Sequence, residues 1–354
     1  VSYKVAYYAH HFGTGHLRHA QRLAELGGLE VQVASTGERR TDLLSADVEY
    51  VALPPDAVPG QHPGKMRDGD PLHYAPVGKA IQQRFALLNR AWERFVPDVV
   101  MVDVSVEVAL FARLSGYPVA FRRMPGDRGD RAHQMAYAVS DGIFAYFPST
   151  LERPAHLDAF GDKSHYLGVP ETVPAKALPV SSHRGSGAQR RVVVQTSLAS
   201  SIPLRHLAAA ATASPLWQWE VAGAVEEDGT ALPGNLQLHG VIRDPGLALR
   251  NADVVISSAG HNAVVAAAAS GRPVLLVPEP RPHDEQLHFA RALHGAAGVP
   301  HVESWGSQTD WATMLYRVAA SVPGALAESL FVTERSFTAG VESMLADCLQ
   351  RAGS

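Results

Sequence analysis

Short apolar runs alternate with amphipathic stretches of helical length from one end of the chain to the other. Residues 5–8 predict a strand, and Leu17, Ala20, Leu23 and Ala24 then recur at helical spacing over 16–26. Strands at 31–34 and 48–53 follow, then a Pro/Gly-rich loop over 54–69 and a helix over 77–95. After Pro97 the unit repeats as strand 99–102, helix 106–114 and strands at 119–121 and 142–147. From 168 to 190 the alternation stops, and Pro170, Pro174, Pro179, Gly185 and Gly187 mark a linker. It resumes with strands at 191–196, 217–222, 236–238, 254–257 and 274–277. Helices are expected from Ala208, Pro245, Asn262 and Glu285 onward, and a last one over 331–349.

Runs such as VVMVD, DVVIS and PVLLVP lack polar alternation, which is what a parallel sheet covered on both faces requires. The fold class expected is α/β, with two Rossmann-like, doubly wound parallel-sheet domains facing a cleft. The first spans 1–167, a linker 168–190, the second 191–330, and 331–354 is a helix free to pack back on the first domain. A chain of 354 residues, 46% apolar and 19% charged, is neither disordered nor fibrous. A formal net charge of −4 excludes nucleic acid as the main partner, because phosphate binding wants a basic surface. The single cysteine, Cys348, excludes a disulfide framework and a Cys-rich zinc module. No apolar run has membrane-spanning length, and the first residues lack the basic start of a signal peptide, so a cytoplasmic protein is expected.

Ligands of doubly wound sheets bind beyond the carboxyl ends of the strands. The first such end is HHFGTGHLRHA, where Gly13, Thr14 and Gly15 let backbone approach a ligand and His16 opens the next helix. It is no dinucleotide fingerprint, since Arg18 stands at the third glycine's place. His16 alone also reads as a solvent-facing helix residue. His10, His11, His16 and His19 invite a metal, but they fall partly on opposite strand faces, and no metal or cofactor is expected. Asp103 ends VVMVD, where a carboxylate either fixes an imidazole's tautomer and stabilises its cation or caps the following helix. In the second half, Ser257, Ser258, Ala259 and Gly260 make a small-residue turn before His261 and Asn262. That is a phosphate cradle at a helix start, or tight packing around an Ala-rich helix. His283, Asp284, Glu285 and Gln286 are helix caps or hydroxyl-binding groups. The run 121–131 sets Arg122, Arg123, Arg128 and Arg131 beside Asp127 and Asp130, either along an acceptor cleft or as a solvated charge run. Asp68-Gly69-Asp70 reads as a turn. Lys79, Arg84, Arg90 and Arg94 form a basic helix region, a candidate for weak peripheral contact with anionic lipid.

At these residues the chain resembles the GT-B glycosyltransferases, the broad group joining UDP-glycosyltransferases to the peptidoglycan N-acetylglucosaminyltransferase. SSAGHNAVVAAAASGRPVLLVPEPRPHDEQ is similar to the group's donor-binding signature, FGTGHLRHA to its first loop and PDVVMVDVSVEVALFARLSGYP to its aspartate-bearing strand. The resemblance implies an inverting, metal-independent transferase with His16 as base and Asp103 as its partner. It implies a nucleotide-diphosphate sugar on Ile242, Ser258, Gly260, His261, Asn262 and Ser197, with Asp284, Glu285 and Gln286 at the sugar. The acceptor, a small molecule or lipid-linked glycan, would lie by Gly13, Thr14, Gly15, Arg122 and Arg123. Two departures stand out: Ala266 replaces the group's ribose-binding glutamate and Ala263 its phosphate-binding Ser/Thr. Both UDP and dTDP donors therefore stay open. The stretch from Gly13 to Arg18 also resembles the UDP-sugar hydrolase of pseudaminic acid synthesis. A nucleotide-sugar hydrolase, an epimerase and a non-catalytic binding protein are the alternatives.

Overall fold

The computed structural model describes residues 2–11, 14–55, 72, 75, 77–171, 189–196, 200, 202–242, 246–306 and 308–353. Loop 54–69 therefore lies almost wholly outside the described residues, as do Gly13, Ser197 and the Asp68-Gly69-Asp70 turn. The first half holds β1 (Tyr3–Ala9), α1 (Gly15–Ala24), β2 (Leu29–Thr36), β3 (Glu49–Leu53) and α2 (Lys79–Phe95). It continues with β4 (Val99–Asp103), α3 (Val106–Leu114), β5 (Val119–Arg122), α4 (Arg131–Val139), β6 (Gly142–Ala145), α5 (Pro154–Phe160), β7 (Ser164–Tyr166) and β8 (Val169–Pro170). Strands β1 to β7 form one parallel sheet in the order β3-β2-β1-β4-β5-β6-β7. Every residue of β4 is buried, because apolar clusters cover both faces of the sheet.

The second half repeats the plan with β9 (Arg190–Gln195), α6 (Leu204–Ala213), β10 (Trp217–Ala222), β11 (Leu236–Leu238), α7 (Gly246–Arg250) and β12 (Val254–Ser257). Then come α8 (His261–Ala269), β13 (Val274–Leu276), α9 (Glu285–Ala297), α10 (Trp311–Ala319) and α11 (Ala325–Leu330). Its parallel sheet runs β11-β10-β9-β12-β13. The chain then returns to the first half: β14 (Phe331–Val332) pairs with β8, and α12 (Glu334–Ala352) lays Phe337, Val341, Met344 and Leu345 into the first domain's core. The expected helix over 331–349 starts late because Thr333 caps it, its hydroxyl accepting from Ser336 N at 3.1 Å. Within the expected linker, 169–170 is strand and 172–188 lies outside the described residues.

Two charged clusters differ from their surface readings. Arg84 is fully buried, donating to Thr36 Oγ1 at 2.8 Å, to the Tyr8 hydroxyl at 2.5 Å and to the Pro54 carbonyl. A basic face on α2 is thereby reduced to Lys79, Arg90 and Arg94, the last paired with Glu49. Arg122, Arg123 and Arg128 are likewise buried, which rules out a solvated charge run; only Arg131 is exposed.

The halves touch along a shared apolar cluster in which Ala145, Phe147 and Leu151 meet Ala259, Phe289, Leu326 and Leu330. Beside it, Asp127 N donates to the His283 carbonyl at 3.0 Å. Gly126 makes that approach with φ 104°, and a Cβ there would lie 2.9 Å from both the His283 oxygen and the Glu285 Cα. Gly126→Ala is accordingly expected to cost about 1–3 kcal/mol of stability and to loosen the domain contact. Thermal unfolding and small-angle scattering check this: unchanged Tm and radius of gyration would mean that these loops do not dock in solution.

Candidate active site

In the first sheet the strand order reverses direction between β1 and β4, which opens a crevice at their carboxyl ends. Ala9 and Asp103 stand opposite each other there. His16, in the first turn of α1, points its Nδ1 at Asp103 Oδ2, 2.8 Å away. The Tyr7 hydroxyl donates to the same oxygen at 2.8 Å, and Arg122 at the end of β5 donates from Nη1 to both carboxylate oxygens, at 2.8 and 3.0 Å. Asp103 is not a helix cap. Val104 turns the chain with φ 77°, a costly conformation for a β-branched residue, and the cap position falls to Ser105.

Burial alone would push the Asp103 carboxyl up, but Arg122 and His16 outweigh it and hold the group well below the usual carboxylate range. The Arg122 guanidinium lies 4.7 Å over the Tyr146 ring, and its Nη2 is 3.4 Å from His19 Nε2. His19 stacks flat on Tyr146 at 4.0 Å, and burial followed by Arg122 lowers its pKa well below the ordinary value. His16 keeps 15% of its side chain exposed, and its Nε2 has no hydrogen-bond partner among the described residues. His10 and His11 stack on each other at 4.6 Å rather than converging with His16 and His19 on one point.

The second domain brings its own crevice, between β9 and β12, to face the first. Ser258 follows β12, buried with its Oγ unpartnered, and α8 begins at His261 after Gly260, an N-cap that supplies no side-chain bond. Among the described residues no side chain caps the first-turn amides of α8, the kind of N–H groups that helix starts offer to anions. Asn262 abuts Gly15, where a Cβ would lie 1.9 Å from its Nδ2, so Gly15 is what lets the two helix starts meet. His261 donates from Nε2 to the Tyr146 carbonyl at 2.7 Å, and burial, then Arg122, lowers its pKa to about 4. Its neutral ring holds the first domain, and its buried Nδ1 carries a lone pair rather than a proton for a phosphate.

The remaining candidates divide. Gln286 is buried, its Oε1 accepting from Glu279 N at 2.9 Å and its Nε2 lying behind Gly260. Glu285 pairs across the cleft with Arg128 at 2.8 Å, whereas Asp284 is exposed. Ile242 is half-buried after β11, and Thr14 half-buried before α1. Arg123 turns away to Glu152 at 2.8 Å. Among the described residues, one cluster has metal-ligand spacing: Asp130, His133 and His283, with ligand atoms within 4.8 Å of one another. Both ring nitrogens of His133 are already engaged, Nδ1 by Asp130 at 2.6 Å and Nε2 by Arg128 at 3.4 Å, so the cluster is a hydrogen-bonded link. Sequence reasoning missed Tyr7, Tyr146, His133 and the Arg128–Glu285 pair. Tyr7 carried a usable signal, since a hydroxyl inside a fully buried strand must find a partner.

Comparison with known proteins agrees with this architecture. Residues 227–302 match the glycosyltransferase family 28 C-terminal domain. Among solved structures, the spinosyn forosaminyltransferase SpnP is 17% identical with a TM-score of 0.68, over 98% of this chain and 100% of its own. The spinosyn rhamnosyltransferase SpnG complexed with thymidine diphosphate is 19% identical with a TM-score of 0.60, over 99% and 98%. A putative UDP-N-acetylglucosamine 2-epimerase from Listeria monocytogenes is 12% identical with a TM-score of 0.61, over 96% and 94%. No curated protein sequence matches the chain. The fold is GT-B, and within it residues 227–302 carry the match to a glycosyltransferase C-terminal domain. An epimerase shares the fold, so the reaction is argued from the site.

The buried histidines make a pH prediction. Burial lowers His133, His156 and His261 each to about 4. The unfolded chain takes up these protons near the ordinary value of about 6.5, so stability is whole above that pH and is lost as pH falls toward 4. Tm is expected to fall steadily from pH 7 to pH 5 in calorimetry; a flat or rising Tm would contradict the buried neutral assignment.

Proposed function

We propose that the chain moves a sugar from a nucleotide-diphosphate sugar to an acceptor hydroxyl with inversion at the anomeric carbon, and that His16 is the general base. The observation that carries this reading is the His16–Asp103 contact of 2.8 Å, which commits Nδ1 and leaves Nε2 without a partner among the described residues. Nδ1–H donates to Asp103, so the lone pair stands on Nε2. The acceptor hydroxyl gives its proton to Nε2 while its oxygen bonds to the anomeric carbon from the face opposite the diphosphate. The bond from that carbon to the phosphate oxygen breaks, and its electron pair leaves with the nucleoside diphosphate. The charge developing on the leaving group meets the free first-turn amides of α8 and the Ser258 hydroxyl, with the helix dipole in the favourable sense. Glu285 and Gln286 border the place for the donor sugar.

A base of this kind contributes about 10²–10⁴-fold. His16→Ala is expected to lower kcat at least about 10²-fold with nucleotide affinity little changed, and Asp103→Asn to show a smaller loss of the same kind. Steady-state turnover of UDP- and dTDP-sugars, with and without candidate acceptors, is the assay. Near-normal kcat in His16→Ala would remove His16 from the reaction. Full donor turnover without any acceptor would make the chain a nucleotide-sugar hydrolase.

Donor binding is proposed to need no divalent ion, because amides and a hydroxyl supply the anion site. Ala266 lies one helical turn past Asn262, packed against apolar neighbours, and offers a ribose hydroxyl no acceptor. Leaving that hydroxyl unpaired costs about 1–3 kcal/mol, which a 2′-deoxy nucleotide avoids. In calorimetry with EDTA, dTDP is expected to bind at least as tightly as UDP, and Ala266→Glu to shift preference toward UDP. Loss of all binding in EDTA would require a bridging metal, and a strong wild-type preference for UDP would mean that the ribose is read elsewhere.

A further inference from the structure

Asp103 has no solvent exposure and accepts from Tyr7, His16 and Arg122, of which only Arg122 brings a permanent charge. The same guanidinium nitrogen that holds Asp103 is 3.4 Å from His16 Nδ1. A proton arriving on His16 thus places a cation between an attracting carboxylate at 2.8 Å and a repelling guanidinium at 3.4 Å, all but His16 shielded from water. Arg122 has little room to relax. It is 4% exposed, bridges both Asp103 oxygens, rests on the Tyr146 face and touches His19.

We infer that Arg122 is a positioning residue that tunes the base: it orients Asp103 toward His16 while lowering the proton affinity that Asp103 alone would give the imidazole. This deepens the proposed function and rests on His16 as its base. An Asp–His pair without such a cation favours the imidazolium, which can no longer accept a proton from the acceptor. With Arg122 in place, Asp103 acts chiefly through direction and tautomer, because its charge is already balanced. The other groups around His16 are His10 from the end of β1, with ring centroids 5.8 Å apart, and His19 one turn along α1. His261 of the second domain lies behind His19 at 5.6 Å, and Tyr7 and Tyr146 complete the surround. Among these neighbours, Arg122 is the only fixed cation.

The test needs no substrate. The imidazole Cε1–H resonance of His16, assigned by its absence in His16→Gln, is titrated by NMR in wild type, Arg122→Gln, Arg122→Lys and Asp103→Asn. Arg122→Gln removes the charge while keeping a donor for Asp103, and its His16 midpoint is expected to rise by about one pH unit or more, given the Coulomb energy at this separation. Arg122→Lys, which keeps the charge, should return most of the way to wild type and remains informative if the glutamine variant does not fold. Asp103→Asn should lower the midpoint. A midpoint that stays put or falls in Arg122→Gln, or one that rises as far in Arg122→Lys, would overturn the inference and leave Arg122 a structural anchor. The titration stands apart from the proposed reaction: if His16→Ala keeps its turnover, the base assignment fails whatever the NMR midpoints show.

Discussion

The buried Asp103–Arg122 pair is the constraint on which the rest of the site depends. A carboxylate at zero exposure is tolerated only with a charge and hydrogen bonds around it, and breaking such a pair by removing one partner costs about 3–5 kcal/mol. Its two members come from the ends of β4 and β5, adjacent strands of one parallel sheet, so the sheet's register sets their separation. Tyr7 on β1 and Tyr146 after β6 close the cluster from the other strands. His16 then has one orientation that satisfies Asp103, and its second nitrogen is turned to the crevice.

The same cluster ties the first domain's crevice to the second domain's. Tyr146 carries the Arg122 and His19 contacts on its ring and holds His261 through its carbonyl, so the first turn of α8 is held in register with the His16–Asp103–Arg122 cluster. Asn262 against Gly15 and Arg128 against Glu285 repeat this coupling at two further points. Helix α12 braces the first domain from behind, filling its core after the chain has returned from the second. The two crevices are therefore held together by contacts of both domains, and in the proposed reaction small shifts at Gly15 or Gly126 would be felt at the reacting atoms.

Much of the architecture was legible because it follows from periodicity. Unbroken apolar runs such as 99–102 and 254–257 have only one comfortable setting, a sheet covered on both faces, and the alternation between them fixed two doubly wound halves. The placement of His16 and Asp103 was legible for a related reason: each ends or follows a strand at the carboxyl edge of the sheet. Side-chain commitments were not legible. Nothing in the spacing of His261 says that its ring would be spent on a carbonyl of the other domain, 115 residues away. Arg84 looked like surface charge on an amphipathic helix, yet Thr36, Pro54 and Tyr8 give its guanidinium enough acceptors to stay inside. Arg122 and Arg123 are neighbours in sequence but leave the strand end in opposite directions, one to Asp103 and one to Glu152, as alternation along β5 demands.

The central claim is a single displacement assisted by one base in the His16 crevice. The stereochemistry of the first-formed product tests it most directly. Proton NMR coupling at the anomeric carbon, followed from the start of the reaction with a nucleotide sugar of known configuration, should report the opposite configuration in the product. Retention of the donor's configuration would require a double displacement or an internal return, and would contradict the account.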